Sequence, residues 1–106
     1  MIKLMFVSLR KSELTHKECL SEGSGEQHVT TVNKVPGLLK WKENFVKDLP
    51  HENAPDVIAE LWFESAESIQ AAMQTPEWAA AIEDAQRFLD MDKTYAFTAD
   101  EKVFIE

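Results

Sequence analysis

Of the three histidines, His16, His28 and His51, His28 is the one whose position suggests proton chemistry. It shares an apolar helical stripe with Val32 and Val35 at i, i+4 and i+7. An imidazole with an ordinary pKa of about 6.5 donates or accepts a proton at working pH if a substrate reaches it. A histidine on such a stripe is, from its spacing alone, more often a hydrogen-bonded core residue. Glu60 alternates onto the face of Ile58 and Trp62; inside a core its carboxylate would need a partner or a raised pKa, and either suits a general base. The competing reading is a rim carboxylate paired with Lys3 or Lys40. Trp41, Trp62 and Tyr95 would wall an aromatic pocket, the phenol offering a hydrogen bond to a ligand oxygen, or would simply pack in a core or dimer.

The remaining reactive side chains carry less. The histidines are too scattered for a metal-ligand pattern, so no metal is expected. His16, at a first helical turn, reads as solvated. Cys19 reads as a small packed hydrophobe, and Glu83, Asp84, Asp90 and Asp92 as a solvated acidic helix face. No Gly-rich phosphate loop or serine elbow is present.

The elements that must position these residues follow from periodicity. Residues 2–9 alternate with Ile2, Leu4 and Phe6 on one side and Met5, Val7 and Leu9 on the other, a strand apolar on both faces. Thr15 as N-cap, Glu18 at N3, and Leu14 with Cys19 as staple open a helix. That helix should bend or loosen at Gly23-Ser24-Gly25, because an internal glycine costs about 1 kcal/mol relative to alanine. It should resume through His28 and stop at Pro36-Gly37. Residues 38–46 form a second strand with Leu39, Trp41, Glu43 and Phe45 on one face; residues 56–64 form a third, with Val57, Ala59, Leu61 and Phe63 opposed to Ile58, Glu60 and Trp62. Ser65 caps a short helix, and Thr75-Pro76 opens another with proline at N1. Its inward stripe is Trp78, Ile82, Ala85 and Leu89. Tyr95, Phe97 and Ala99, then Val103 and Ile105, describe a last strand interrupted at Asp100-Glu101.

The order is βαββαβ, an α+β, ferredoxin-like plan with helices on one face of a four-stranded antiparallel sheet. With 106 residues this is one domain, 1–106, able to bury a core without staples. The face left uncovered predicts a homodimer. A net charge of −8 argues against nucleic acid and anionic lipid as partners. The apolar run of the first eleven residues is too short and too alternating for a signal peptide or membrane span, and one cysteine makes no intrachain disulfide, so a cytoplasmic protein is expected.

The opening MIKLMFVSLRK, His28 eight residues before Pro36-Gly37-Leu38, the stretch Ala59-Glu60-Leu61-Trp62-Phe63-Glu64-Ser65, Pro76-Glu77 and Phe88-Leu89-Asp90 occur in an order and spacing that resembles the EthD-like family of dimeric α+β barrels. The resemblance implies two sheets pairing into a barrel, with a pocket in each subunit between sheet and helices. The family's suspect histidine falls on His28. Relatives include proteins linked to ether and aromatic degradation, decarboxylase-like enzymes and methylmuconolactone isomerases. Two departures stand out. Leu61 and Trp41 occupy positions where those isomerases carry cysteine and tyrosine, which argues against that chemistry. Gly23 and Ser24 replace a Tyr-Trp pair common before the histidine, which implies a larger pocket or a remodelled helix.

On the resemblance, the leading expectation is a cofactor-free enzyme acting on a small apolar carbonyl, phenolic or lactone compound. His28 would move a proton, Glu60 would orient it or the substrate, and Trp41, Trp62 and Tyr95 would shape the cavity. The alternative is a non-catalytic module that binds a hydrophobic ligand or assists a degradation pathway. Haem binding through a helical histidine ranks last.

Overall fold

The computed structural model describes all of residues 1–106. The elements are β1 (Ile2–Arg10), α1 (His16–Gly23), α2 (Glu26–Val32), β2 (Lys40–Phe45), β3 (Val57–Phe63), α3 (Ala66–Met73), α4 (Pro76–Ala85) and β4 (Leu89–Ala99). The strands pair antiparallel in the order β2-β3-β1-β4, the ferredoxin-like arrangement, with both helical layers on one face.

Local chemistry sets the helix starts. Thr15 accepts the Glu18 N–H while the Glu18 carboxylate accepts the Thr15 N–H, a closed capping box. Ser65 and Thr75 cap α3 and α4, the latter with proline in the first turn. The expected weakness at Gly23-Ser24-Gly25 is a full break: α1 ends at Gly23, and α2 restarts at Glu26 from a glycine N-cap that supplies no side-chain bond. Ser24 closes the end of α1 by donating its hydroxyl to the Leu20 carbonyl at 2.9 Å. At Gly37 the backbone turns with φ of 79° into β2, a conformation that excludes most side chains.

Register decides which residues share a face. The side of the sheet under the helices carries Leu4, Phe6, Trp41, Glu43, Val57, Ala59, Leu61 and Phe63. On the opposite side the strands align in rows: Asn44, Ile58, Val7 and Tyr95; Lys42, Glu60, Met5 and Phe97; Lys40, Trp62, Lys3 and Ala99. That face is therefore charged toward β2 and apolar toward β4. Trp62 is only 5% exposed because lysine stems cover it, with Lys40 Nζ 4.8 Å and Lys3 Nζ 5.3 Å from the ring centroid.

The core has two apolar clusters, one around Leu4, Val35, Leu61, Phe63 and Ile69, the other around Cys19, Val57, Ala85 and Phe88. Phe63 and Phe88 are fully buried, each such side chain contributing about 2–3 kcal/mol through area removed from water.

Two expectations change. The last strand begins at Leu89 and ends at Ala99, so Val103 and Ile105 lie outside the sheet and are exposed, as is Phe104. The polar Asp90, Asp92 and Lys93 conceal its start, since an edge strand carries charge at little cost. His16 is not solvated. It is clasped, with Nδ1 2.6 Å from Asp56 Oδ1 and Nε2 2.7 Å from the Val46 carbonyl. Asp56 is fully buried and also takes the Arg10 backbone N–H at 2.8 Å and the Arg10 guanidinium at 3.2 Å.

Candidate functional site

His28 sits in α2, and the break before that helix lets α2 turn the residue toward the sheet rather than toward solvent. The ring is 5% exposed. It meets Phe88 edge-on at 4.9 Å between centroids and Trp41 at 5.8 Å. Nδ1 lies 2.8 Å from Asp84 Oδ2 in α4. Nε2 lies 3.8 Å from Glu43 Oε1 in β2, a charge contact longer than a hydrogen bond. The imidazole is thus held between two carboxylates from different elements.

Asp84 is itself buried and bonded on its other oxygen by Gln27 Nε2 and Arg87 Nε, each at 2.8 Å. Arg87 continues to Glu22 Oε2 at 2.9 Å. Charge therefore alternates from Glu22 at the surface through Arg87 and Asp84 to His28 and Glu43. Burial opposes the His28 imidazolium, but the carboxylates of Glu43 and Asp84 outweigh it, and its pKa is raised above the ordinary 6.5. Burial likewise opposes the Asp84 anion, yet Arg87, His28 and Gln27 hold its carboxyl below the ordinary value of 3.8. An ionised Asp84 fixes the proton on Nδ1 and leaves Nε2 to face whatever enters.

Beside the imidazole is a cavity of about 70 Å³ lined by 16 residues, of which 13 are hydrophobic. Phe6, Trp41, Trp78 and Leu61 form much of its wall; His28, Glu43 and Ser8 are its polar members. Beside it, an open groove runs past Gly23, Ser24, Val29 and Phe45 and shares Trp41 and Glu43 with the cavity. The two small residues at 23 and 24 thus both end a helix and leave an approach to the site.

Among the residues singled out from sequence, His28 and Trp41 meet here. Glu60, Trp62 and Tyr95 do not. Register puts all three on the sheet face away from the helices, so assignment of Glu60 as an orienter of His28, and of Trp62 and Tyr95 as walls of its cavity, is corrected. Glu60 bonds Lys3 Nζ and Asn44 Nδ2, each at 2.9 Å, and these contacts hold its carboxyl below 4.5. Tyr95 is 72% exposed. Asp84, read as a solvated acid, is a buried partner of His28; its spacing, three residues after Ala81 and one before Ala85, placed it on the inward arc despite its charge. Glu43 and Arg87 were not singled out. The signal for Glu43 was a lone carboxylate on the Trp41 face of a strand. No cluster of three or more His, Cys, Asp or Glu side chains is arranged to hold a metal ion, and no helix is long and apolar enough to cross a membrane.

These features define a ferredoxin-like α+β domain with a histidine-bearing apolar cavity between sheet and helices. Residues 15–92 match the EthD domain, and the chain belongs to that family. An EthD family protein from Bacillus halodurans superposes with a TM-score of 0.75 at 24% identity, over 96% of this chain and 100% of that one. A dimeric ferredoxin-like protein of unknown function from Bacteroides fragilis gives 0.70 at 11% identity, over 94% and 95% of the two chains. SnoaB, a cofactor-independent oxygenase from Streptomyces nogalater, gives 0.66 at 8% identity, over 99% and 97%. No curated protein matches the sequence.

Proposed function

We propose that this EthD protein is a cofactor-independent enzyme that acts on a small, largely apolar compound by acid–base chemistry at His28. One observation carries the reading: a buried imidazole, bonded at Nδ1 to Asp84 and with Glu43 beside Nε2, lines an apolar cavity. In its neutral form Nε2 accepts a proton from a bound substrate; in its charged form it returns one, and Asp84 stabilises the imidazolium between the two steps. Trp41 and Trp78 supply wall, and the groove at Gly23-Ser24 supplies entry. SnoaB supports the plausibility of catalysis without a cofactor on this fold.

The apolar half of the open sheet face, Met5, Val7, Ile58, Tyr95 and Phe97, supports self-association into a homodimer, in keeping with relatives described as dimeric. Glu60 and Trp62 would then lie toward the charged margin of that interface.

The test is a mass-spectrometric screen of alkylphenols, lactones and cyclic ketones with wild type and His28→Asn. Turnover of any compound should vanish in the variant while its far-UV circular dichroism at about 20 °C stays that of the folded wild type, even though loss of a partner from a buried ion pair lowers its unfolding midpoint. Equal turnover by the variant refutes catalysis by His28. Ligand binding with no turnover by wild type across the screen returns the protein to the non-catalytic binding class.

A further inference from the structure

Glu43 holds a feature that acid–base chemistry at His28 does not use. Its two carboxylate oxygens have different surroundings. Oε1 faces His28 Nε2 at 3.8 Å, whereas Oε2 is buried and has no hydrogen-bond partner. A buried acceptor without a donor is costly and uncommon in a folded chain. The side chain lines both the cavity and the neighbouring open groove, so it is within reach of a ligand in either. Apart from His28 and Ser8, the surrounding wall is apolar, and no lysine or arginine lines either space.

We propose that Glu43 is the specificity-determining residue of the site, its Oε2 accepting a hydrogen bond from the hydroxyl of a neutral substrate whose remainder is apolar. The inference rests on the cavity being the substrate site. A second anion is disfavoured, because Glu43 and Asp84 already place two carboxylates around His28. A cationic ligand is disfavoured as well: it would shed its water into an apolar wall and meet the imidazolium that lies against Oε1. A neutral hydroxyl satisfies Oε2 without either penalty. A matched ether, which has no proton to donate, leaves that oxygen unpartnered, and a site built around a hydroxyl rejects such an analogue far more strongly than a purely apolar pocket would.

The experiment compares four small probes, para-cresol, para-methylanisole, para-toluate and para-methylbenzylamine, by isothermal titration. They are run against wild type, Glu43→Leu, Glu43→Gln and His28→Asn. Wild type should bind para-cresol tightest, roughly tenfold or more over the methyl ether, as expected for a hydrogen bond to a charged acceptor. Glu43→Leu should erase that preference, and Glu43→Gln, which keeps an oxygen acceptor and the shape, should retain part of it. Equal affinity of wild type for the phenol and the ether, failure to bind either, or tighter binding of the amine or the carboxylate overturns the inference. So does an unchanged preference in Glu43→Leu, or a preference lost in His28→Asn but kept in Glu43→Leu. Because binding is read without turnover, a catalytically silent site with a Glu43-dependent preference refutes only the acid–base reading, and a catalytic site without that preference refutes only the role of Glu43.

Discussion

Replacing Asp84 with alanine probes the connection between the site and the stability of the fold. The carboxylate takes hydrogen bonds at 2.8 Å from His28, Gln27 and Arg87. These do not weigh equally. The Arg87 side chain is 33% exposed and Gln27 is exposed, so both re-form bonds with water. The His28 side chain, 6% exposed, does not. Removing one partner of a buried ion pair costs about 3–5 kcal/mol, and with two donors rescued by water the low end, about 3 kcal/mol, is expected. At about 4–8 °C per kcal/mol for a domain near this size, melting should fall by roughly 12–24 °C. The pH dependence has a definite sign. His28 has its pKa raised by folding, so its contribution is complete below its unfolded value and is lost as pH rises through the folded one. Asp84 has its pKa lowered, so its contribution is present above the carboxylate range and fades only in acid. The alanine variant keeps Glu43 alone against burial, and it therefore loses less stability between about pH 5.5 and pH 9 than wild type does. Urea unfolding followed by tryptophan fluorescence, at one fixed protein concentration, measures both quantities. A cost below about 1 kcal/mol near pH 5.5, or a gap between the two proteins that widens toward pH 9, refutes the assignment. Asp84→Asn keeps the shape and one acceptor, and its stability should fall between the two.

Other perturbations test the scaffold. Asp56→Ala strips a fully buried carboxylate from Arg10 and His16 and should cost about 3–5 kcal/mol in the same unfolding assay; a loss within experimental error would show that water replaces the clasp. Phe97→Glu places a charge in the apolar half of the open face and should give a monomer by light scattering, with an unchanged mass refuting that interface. Cys19 is fully buried, and burial, with the charge of Asp56, pushes its thiol pKa up to about 12. The native protein should resist a disulfide reagent that labels the urea-unfolded chain at once, and rapid native labelling would contradict the packing.

What the chain determined alone is whatever depends on neighbours in sequence. Thr15 and Glu18 close a capping box within one turn, Ser65 and Thr75-Pro76 start helices the same way, and two glycines within three residues end one. Alternation likewise put Glu60 with Ile58 and Trp62, and Trp41 with Glu43. The βαββαβ order and His28 as the residue to watch were legible on those grounds. Alternation does not say which side of a sheet the helices cover, and β1 and β3 are apolar on both sides. Only the packed structure sent Glu60, Trp62 and Tyr95 to the far face and Glu43 to the cavity. Asp84 shows the same limit: its charge reads as solvent-facing until His28, 56 residues away in sequence, arrives to satisfy it. A buried charge is stable only with its partners in place, and those partners come from α2, α4 and the segment after it, together with Glu43 of β2, brought together by the fold rather than by any local pattern.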